Sequence, residues 1–359
     1  MNEIPAASSA PSELGEAALA YRKLLAATPT LRIRDAAEQI GVSEAELVAT
    51  NVDAHGVRLR EDWPDLIREL PKLGRVMVLT RNDWAVHEKD GAFEDVKASA
   101  KFGLVLGPDI DLRILLDHWH IGFAVDKPMK DGSRRSLQFF DRDGAAVHKV
   151  FLRDGSDAAA YGELVARFAA PEPNAPLRLE PVPEPDPDGP DEAIDRAGFR
   201  AAWEALKDVH DIAAMLREFG LGRRQALRLI GEDYARPVPV DAFRRIVEAA
   251  AETRAEIMIF VGSPGCIQIH TGPVETLKTM GPWFNVLDPG FNLHLREDGI
   301  AHAWIVRKPT KDGIVTSLEI FDARDKVIAI VFGKRKEGQR ESETWRALLS
   351  RLTPGEGPA

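Results

Sequence analysis

"RKPTKDGIVTSLEIFD", residues 307–322, closely repeats a segment found earlier in the same chain. Residues 126–141 read "DKPMKDGSRRSLQFFD" and are identical at nine of sixteen positions, 181 residues upstream. In both copies short runs of β-branched and aromatic residues are separated by turn signals such as "KDG". The pattern predicts short strands joined by tight turns, formed twice.

The repeat extends well beyond these two segments in the same register. Pairs of identical residues 181 positions apart occur over roughly 75 residues of each copy: Met77 and Met258, Gly91 and Gly272, Pro108 and Pro289, Leu112 and Leu293, Val150 and Val331. Chance does not keep one register over such a length, and the period is too long for a solenoid repeat. About half of the chain is therefore an internal duplication.

The two copies are separated by a segment rich in proline and acidic residues. "APEPNAPLRLEPVPEPDPDGP", residues 170–190, contains eight of the 24 prolines. Such a composition favours neither a helix nor a packed core, so an extended, exposed linker is expected there. We predict a first repeat at 18–170, a linker at 171–193 and a second repeat at 194–354.

Within each repeat, helical patterns precede a series of short strands, and one more helical pattern closes the repeat. The strands follow one another too closely for crossover helices, which indicates a mostly antiparallel sheet. The predicted fold class is α+β, a tandem duplication in which each half is a large antiparallel sheet flanked by helices.

Composition narrows the possible functions. The net charge of -10 argues against a general binder of nucleic acid or anionic membranes. The single cysteine, Cys266, excludes an internal disulfide and a cysteine-rich zinc module. The first 20 residues lack a secretory signal, and no segment reaches the ~20 apolar residues of a membrane span. We expect a cytoplasmic protein without an integral membrane segment.

Generic catalytic motifs are absent, so positions that differ between the two copies become informative. Helices of the two halves align through Ile40 and Ile230, and on that alignment only the second half carries a histidine at His210. Trp203, Leu206 and His210 follow helical spacing, which places His210 at the edge of an apolar helix face. From these residues alone, His210 is either a core-edge histidine or an imidazole directed at a metal or cofactor.

Several motifs together resemble a known family. "LTRNDWAVHE", "GPDIDLRILL", "SLQFFDRDGAAVHKVF", "ALKDVHDIAAML", "RKPTKDG", "SLEIFD" and "FGKRKEGQRESETW" are similar to the HemS/ChuS-type proteins of Gram-negative bacteria, the cytoplasmic hemin transport or hemin-degrading factors. The resemblance covers residues 18–353 in order. It implies two similar halves and one heme b, bound as cargo in a cleft of the second half and approached by the first half.

The resemblance also implies a set of heme-binding residues. They are an axial iron ligand, His210; an arginine on the opposite heme face, Arg113; cations near the propionates, Arg223, Lys308 and Arg335; and an aromatic wall residue, Phe260. These residue types suit the ligand, because imidazole ligates heme iron, guanidinium pairs with carboxylates and aromatic rings cover the porphyrin. This chain departs from many relatives at Ile330 and Phe332, where they carry glutamine and tyrosine.

Three functions follow as hypotheses. The preferred one is an intracellular carrier that receives imported heme from an inner-membrane importer and delivers it to a heme oxygenase. The alternative is an enzyme that cleaves heme itself with an external reductant and dioxygen, in which Arg113 would be a catalytic residue. The third is a DNA-binding regulator, based on the helix-turn-helix-like "RIRDAAEQIGVSEAELVAT". That region is acidic, which argues against nucleic acid.

Overall fold

The structure is a computed structural model that describes residues 7–8, 11–51, 55–130, 132–183, 187–335 and 338–352. The chain divides into two compact units. Unit 1 comprises residues 1–81, 88–183 and 263–268, and unit 2 comprises residues 82–87, 184–262 and 269–359.

Eleven described strands and five described α-helices lie in or beside the first repeat. The strands are β1 (Ala7–Ser8), β2 (His55–Leu59), β3 (Gly74–Arg81), β4 (Ala85–Ala92), β5 (Val96–Ala98), β6 (Phe102–Leu106), β7 (Asp111–Leu115), β8 (Ile121–Met129), β9 (Gly132–Phe140), β10 (Ala146–Ser156) and β11 (Arg178–Leu179). The helices are α1 (Pro11–Ala27), α2 (Ile33–Ile40), α3 (Glu44–Ala49), α4 (Trp63–Glu69) and α5 (Ala158–Phe168).

The second repeat contains nine described strands and five described helices. The strands are β12 (Ala235–Val238), β13 (Ile257–Ser263), β14 (Cys266–Gly272), β15 (Leu277–Met280), β16 (Trp283–Asp288), β17 (Phe291–Arg296), β18 (His302–Thr310), β19 (Gly313–Phe321) and β20 (Val327–Gly333). The helices are α6 (Arg196–Glu204), α7 (Ile212–Glu218), α8 (Arg223–Leu229), α9 (Ala242–Thr253) and α10 (Glu343–Ser350).

The strand order is the same in the two units. In unit 1 it is β3-β10-β9-β8-β2 with a separate β5-β6-β7 meander, and in unit 2 it is β13-β20-β19-β18-β12 with β15-β16-β17. The pairing register also repeats, since Lys127 faces Arg134 in unit 1 and Lys308 faces Val315 in unit 2, both 181 positions later. The predicted α+β duplication with antiparallel sheets is confirmed.

In unit 2, other elements pack on both faces of the β13-β20-β19-β18-β12 strands, and on the face of α6 to α8 they leave β13 and β20 partly exposed. On one face, Leu318 and Ile320 of β19 belong to a core that α9 and α10 complete. On the other face, Trp304 and Val306 of β18 pack with Trp203 and neighbouring residues of α6 to α8. Because elements pack on both faces, the polar side chains between these layers must find partners within the protein.

The second half departs from the sequence prediction at the helix that was expected to carry His210. The spacing of Trp203, Leu206 and His210 predicted one helix through these residues, but α6 ends at Glu204 and α7 begins at Ile212. Between them, Val209–Asp211 forms a single 3₁₀ turn with Asp208 as its N-cap. Aspartate favours such caps over helix interiors because its carboxylate accepts hydrogen bonds from free backbone N–H groups. The core-edge interpretation of His210 was therefore wrong.

The proline-rich segment is only partly exposed. Leu177 is buried in a hydrophobic cluster of unit 1, and the following residues 178–179 form β11, which pairs with β1. Residues 187–190 are exposed, whereas residues 184–186 lie outside the described part of the chain. The expectation of a fully exposed linker therefore fails at Leu177.

Candidate functional site

His210 projects from the 3₁₀ turn into solvent, with 79% of its side chain exposed. Its Nδ1 lies 2.6 Å from Oδ1 of Asp208, and the same oxygen accepts a hydrogen bond from the backbone N of His210 at 2.9 Å. The backbone hydrogen bond from His210, followed by the contact with its ring, holds the pKa of Asp208 below its usual range despite partial burial. The second ring nitrogen, Nε2, has no protein partner within the described residues and is available to a ligand.

The turn that carries His210 is fixed to the sheet of unit 2. The carbonyl of Lys207 accepts a hydrogen bond from the backbone N of Lys311, in the β18–β19 turn, at 3.1 Å. Trp203 of α6 donates from Nε1 to the carbonyl of Arg307 in β18 at 3.1 Å. The turn that carries the exposed imidazole is therefore anchored to β18 and to the β18–β19 turn through Trp203 and Lys207.

An aromatic and aliphatic surface lies on the β18–β13 part of the same unit. Cross-strand pairing places Trp304, Glu319, Ile330 and Phe260 in one row across β18, β19, β20 and β13. Phe332 follows on β20, and its ring contacts that of Phe260 with centroids 5.2 Å apart. Phe260, Ile330 and Phe332 are all half-buried, so this wall presents apolar surface that the protein does not fully cover.

A buried ionic network lies beside this wall. Glu319, which is fully buried, accepts hydrogen bonds from Arg223 at 2.7 and 3.0 Å and from Lys308 at 2.6 Å. Ser317 donates to Glu319 at 2.9 Å and accepts from Lys308 at 2.7 Å. Lys308 is 1% exposed, and its ammonium group lies 4.8 Å from the centre of the Phe332 ring. One carboxylate thus balances two cations, so the cluster retains one positive charge when all three groups are ionised.

Burial and charge act in opposite directions on the protonation of this network. Burial alone would raise the pKa of Glu319, but the positive charges of Arg223 and Lys308 hold it below its ordinary value. Burial lowers the pKa of Lys308 to about 8, although the Glu319 carboxylate acts to raise it. For Arg223 the attraction of Glu319 outweighs burial and raises the pKa.

The lowered pKa of Lys308 predicts a gain of stability in alkaline solution. The folded protein releases this proton near pH 8, whereas an exposed lysine in the unfolded chain releases it near pH 10.4. Between these values the unfolded state binds more protons, so Lys308 adds roughly 1.4 kcal/mol of unfolding free energy per pH unit as pH rises. Urea denaturation at pH 8 and pH 10 should show a larger rise in wild type than in Lys308→Met, in which the pKa of Lys149, also lowered by burial, still contributes.

Lys334→Met serves as the control for this experiment. Lys334 is an exposed lysine that pairs with Glu256 at 2.6 Å, so its substitution should leave the pH dependence of wild type unchanged. Equal pH dependence in wild type and Lys308→Met would contradict the prediction.

Of the two other predicted residues, Arg335 belongs to unit 2 and Arg113 to unit 1. Arg335 is half-buried just after β20, and its Nη1 is buried without a hydrogen-bond partner in the described part of the chain. Arg113 lies on β7 and forms an ion pair with Asp111, whose pKa is raised by burial in spite of that pair.

The first repeat carries a different set of side chains at the positions of the unit 2 wall. The residues 181 positions before Phe260, Ile330 and Glu319 are Leu79, Lys149 and Gln138, and they face each other across the same strands. Lys149 is buried and forms an ion pair with Glu44, which also pairs with Arg81. Phe151 stands at the position of Phe332, but the charged Lys149 replaces Ile330, so the row is not continuously apolar in unit 1.

The same ion pairs bear on the DNA-binding hypothesis. α3 would be the recognition helix of the helix-turn-helix, but Glu44, Ala45, Leu47 and Val48 are buried and its first turn is acidic. A recognition helix has to present side chains to a groove and tolerate phosphates nearby. The geometry therefore does not favour this hypothesis.

Three predicted residues, Arg223, Phe260 and Lys308, lie close together in the structure. They meet around Glu319, which the sequence analysis missed, and Phe332, which it named only as a departure from the relatives. The sequence contains a signal for Glu319, because the equivalent residue of the first copy, 181 positions earlier, is the uncharged Gln138. A negative charge is thus present at this position in the second copy alone. Asp208 was also missed, although aspartate is among the residues that most favour the N-cap position. No helix among the described residues is long and apolar enough to cross a membrane.

Comparison with known proteins agrees with this architecture. Residues 41–168 and 220–352 each match the haemin-degrading HemS.ChuX domain. The chain is 40% identical over 333 residues to the hemin transport protein HmuS of Yersinia pestis, covering 92% of this chain and 96% of that protein. Hemin transport protein HemS of Yersinia enterocolitica is 40% identical over 336 residues, with the same coverage.

Two solved structures are similar over nearly the whole chain. Holo-PhuS, a heme-binding protein from Pseudomonas aeruginosa, superposes with a TM-score of 0.92 and 47% identity, covering 95% of this chain and 99% of PhuS. ChuS, an E. coli heme oxygenase, superposes with a TM-score of 0.85 and 37% identity, covering 94% of this chain and all of ChuS. The duplicated domain and these similarities place the chain in the haemin-degrading HemS.ChuX family.

Proposed function

We propose that this protein binds heme as cargo and carries it to a downstream acceptor, with the second repeat as the binding half. Relatives that are 40% identical over most of their length are hemin transport proteins, and PhuS is a heme-binding protein. The same fold in ChuS belongs to a heme oxygenase, which makes heme degradation the second candidate.

The observation that carries the proposal is the set of side chains that unit 2 presents on its 3₁₀ turn and on β13 and β20. A heme site supplies an axial ligand for the iron, for which imidazole is a common choice, an apolar surface for the ring and cations for the two propionates. His210 offers a free Nε2, Phe260 and Phe332 offer a partly exposed aromatic wall, and Arg335 offers a buried guanidinium nitrogen with no protein acceptor among the described residues. These residues fit the ligand.

We assign different roles to the predicted cations. Arg335 and the exposed part of Arg223 are the proposed partners of the propionates, because guanidinium groups pair with carboxylates in a bidentate manner. Lys308 is buried beneath Phe332, so we propose that it supports the aromatic wall and orients Glu319 rather than touching heme. Arg113 stays a proposed heme contact on the basis of the family resemblance.

A carrier is favoured over an enzyme by the side chains of the wall. Ile330 and Phe332 present no hydrogen-bond donor, so this part of unit 2 can cover the ring but cannot supply a proton or orient a polar reactant. The wall therefore gives no support to steps in which a side chain passes a proton to a bound reactant, since such a side chain must lie within hydrogen-bond reach of it. We further propose that the protein works in the cytoplasm between an inner-membrane heme importer and a heme oxygenase.

Optical titration with hemin, followed by reductant with and without catalase, separates the two candidates. We expect a stable Soret band that saturates at one heme per chain, because the first repeat has Lys149 where the wall has Ile330. The band should persist under reductant when catalase is present and should transfer to an added heme oxygenase. Ring opening that continues in the presence of catalase would instead assign the enzyme function.

A further inference from the structure

Asp208 holds the imidazole of His210 by a contact that the fold of the turn does not need. An N-cap aspartate satisfies a 3₁₀ or α turn by accepting from the backbone, and Oδ1 already does so at 2.9 Å. The additional approach of the same oxygen to Nδ1 at 2.6 Å therefore concerns the ring alone. A carboxylate can only accept, so Nδ1 carries a hydrogen, and in the neutral imidazole Nε2 then carries the lone pair.

This arrangement is the one that metal-bound histidines use. Their second ring nitrogen commonly donates to a carboxylate, which fixes the tautomer, orients the ring and makes the ligating nitrogen more basic. Resting on the proposed function, we infer that Asp208 is a positioning residue for heme, which presets the Nε2 tautomer of His210 and strengthens its bond to iron. Asp208 acts through His210 and does not itself touch the cargo.

Of the two aspartates that flank His210, Asp208 alone has a carboxylate in contact with the ring. Its neighbour Lys207 is tied to the β18–β19 turn, and the backbone N of Asp211 donates to the carbonyl of Asp208 at 3.2 Å. The backbone of Asp208 is thus hydrogen-bonded within the turn. Its carboxylate is placed beside the exposed His210 ring by the hydrogen bond that it accepts from the backbone N of His210. Asp211 flanks His210 on the other side with the same charge but makes no side-chain hydrogen bond or ion pair within the described residues.

Asp208→Asn and Asp211→Asn therefore form a matched pair. Each removes one negative charge within two residues of His210, but only the first weakens the contact with Nδ1. Asparagine is as good an N-cap as aspartate, so the turn is preserved in Asp208→Asn. The remaining amide-to-imidazole bond is neutral, and neutral bonds have about half the strength of charge-assisted ones.

The experiment has one readout in the free protein and two in the complex. In the heme-free protein, nitrogen-15 NMR of the His210 ring should show the Nδ1–H tautomer in wild type and Asp211→Asn and a mixture of tautomers in Asp208→Asn. In the complex, Asp208→Asn should lower the iron–histidine stretching frequency of the ferrous state and raise the reduction potential relative to Asp211→Asn. Heme dissociation should accelerate about 10-fold, the low end for such outer-shell residues because the pair is exposed.

Two failures are distinguishable. If Asp208→Asn and Asp211→Asn give the same tautomer, stretching frequency and dissociation rate while His210→Ala still loses the iron ligand, the role of Asp208 is overturned and the proposed function stands. If His210→Ala leaves the heme spectrum unchanged, the assignment of the ligand fails and the inference fails with it.

Discussion

His210→Ala should abolish the native heme spectrum and lower heme affinity by more than the roughly 100-fold that loss of an outer-shell partner can cause. The substitution removes Nε2 of His210, the nitrogen that is proposed to ligate the iron. Because His210 is exposed and its turn is capped by Asp208, stability should change by no more than about 0.5 kcal/mol. Hemin titration and urea denaturation of the same sample measure both quantities.

His302→Ala is the appropriate control for this variant. His302 is also partly exposed and also lies near a carboxylate, with Nε2 3.9 Å from Asp325, but nothing assigns it to the wall or to iron. Its substitution should leave the spectrum and affinity of wild type intact. Retention of both in His210→Ala would contradict the assignment, and His302 and His294 would then be the next histidines to test.

Heme binding should also weaken in acid. A proton and iron compete for the same imidazole nitrogen, so lowering the pH favours release. The comparison of wild type with His210→Ala isolates this contribution, because the variant has no such nitrogen to protonate.

Glu319→Gln should destabilise the protein by about 3–5 kcal/mol, the usual cost of removing one partner from a buried ion pair. The change leaves Lys308 and Arg223 facing each other in a buried site without a negative charge between them. Glutamine keeps the size of the side chain, so the loss reports charge rather than volume. Urea denaturation at neutral pH measures the effect.

The control for this variant is Glu256→Gln, which breaks the exposed pair with Lys334 and should cost less than about 1 kcal/mol. The acid dependence gives a second check. Since the pKa of folded Glu319 lies below its unfolded value of 4.5, its contribution is complete above that value and is lost as pH falls toward the folded pKa. The difference in unfolding free energy between wild type and Glu319→Gln should therefore shrink below about pH 4. If Glu319→Gln and Glu256→Gln lose the same unfolding free energy at neutral pH, the network is not a major source of stability.

The duplicated fold could be predicted because its signals are local and occur twice. The strand pattern around "KDG" reappears as the β8–β9 and β18–β19 hairpins, and the register of 181 holds for the cross-strand partners as well. Cys266, which precedes the apolar run of β14, is fully buried, and burial raises the pKa of its thiol to about 12. These outcomes depend on short-range pattern and hydrophobicity, which the sequence contains directly.

Other features depend on long-range choices that periodicity does not encode. Trp203, Leu206 and His210 have helical spacing, but the cap at Asp208 ends that continuity and turns His210 outward. Residues 82–87 come from the first repeat but belong to unit 2, and residues 263–268 come from the second repeat but belong to unit 1. The strand pattern is nearly the same in both repeats, so it does not indicate this assignment. The importance of Glu319 likewise appears only when Arg223 and Lys308 are seen to converge on it from α8 and β18.

The central claim is that the second repeat binds heme through Nε2 of His210. Resonance Raman spectroscopy of the ferrous complex, with natural and nitrogen-15 histidine, tests it most directly. We expect an isotope-sensitive iron–histidine stretch in wild type, His294→Ala and His302→Ala, and its loss in His210→Ala. A stretch that survives in His210→Ala, or disappears in either of the other two variants, would contradict the account.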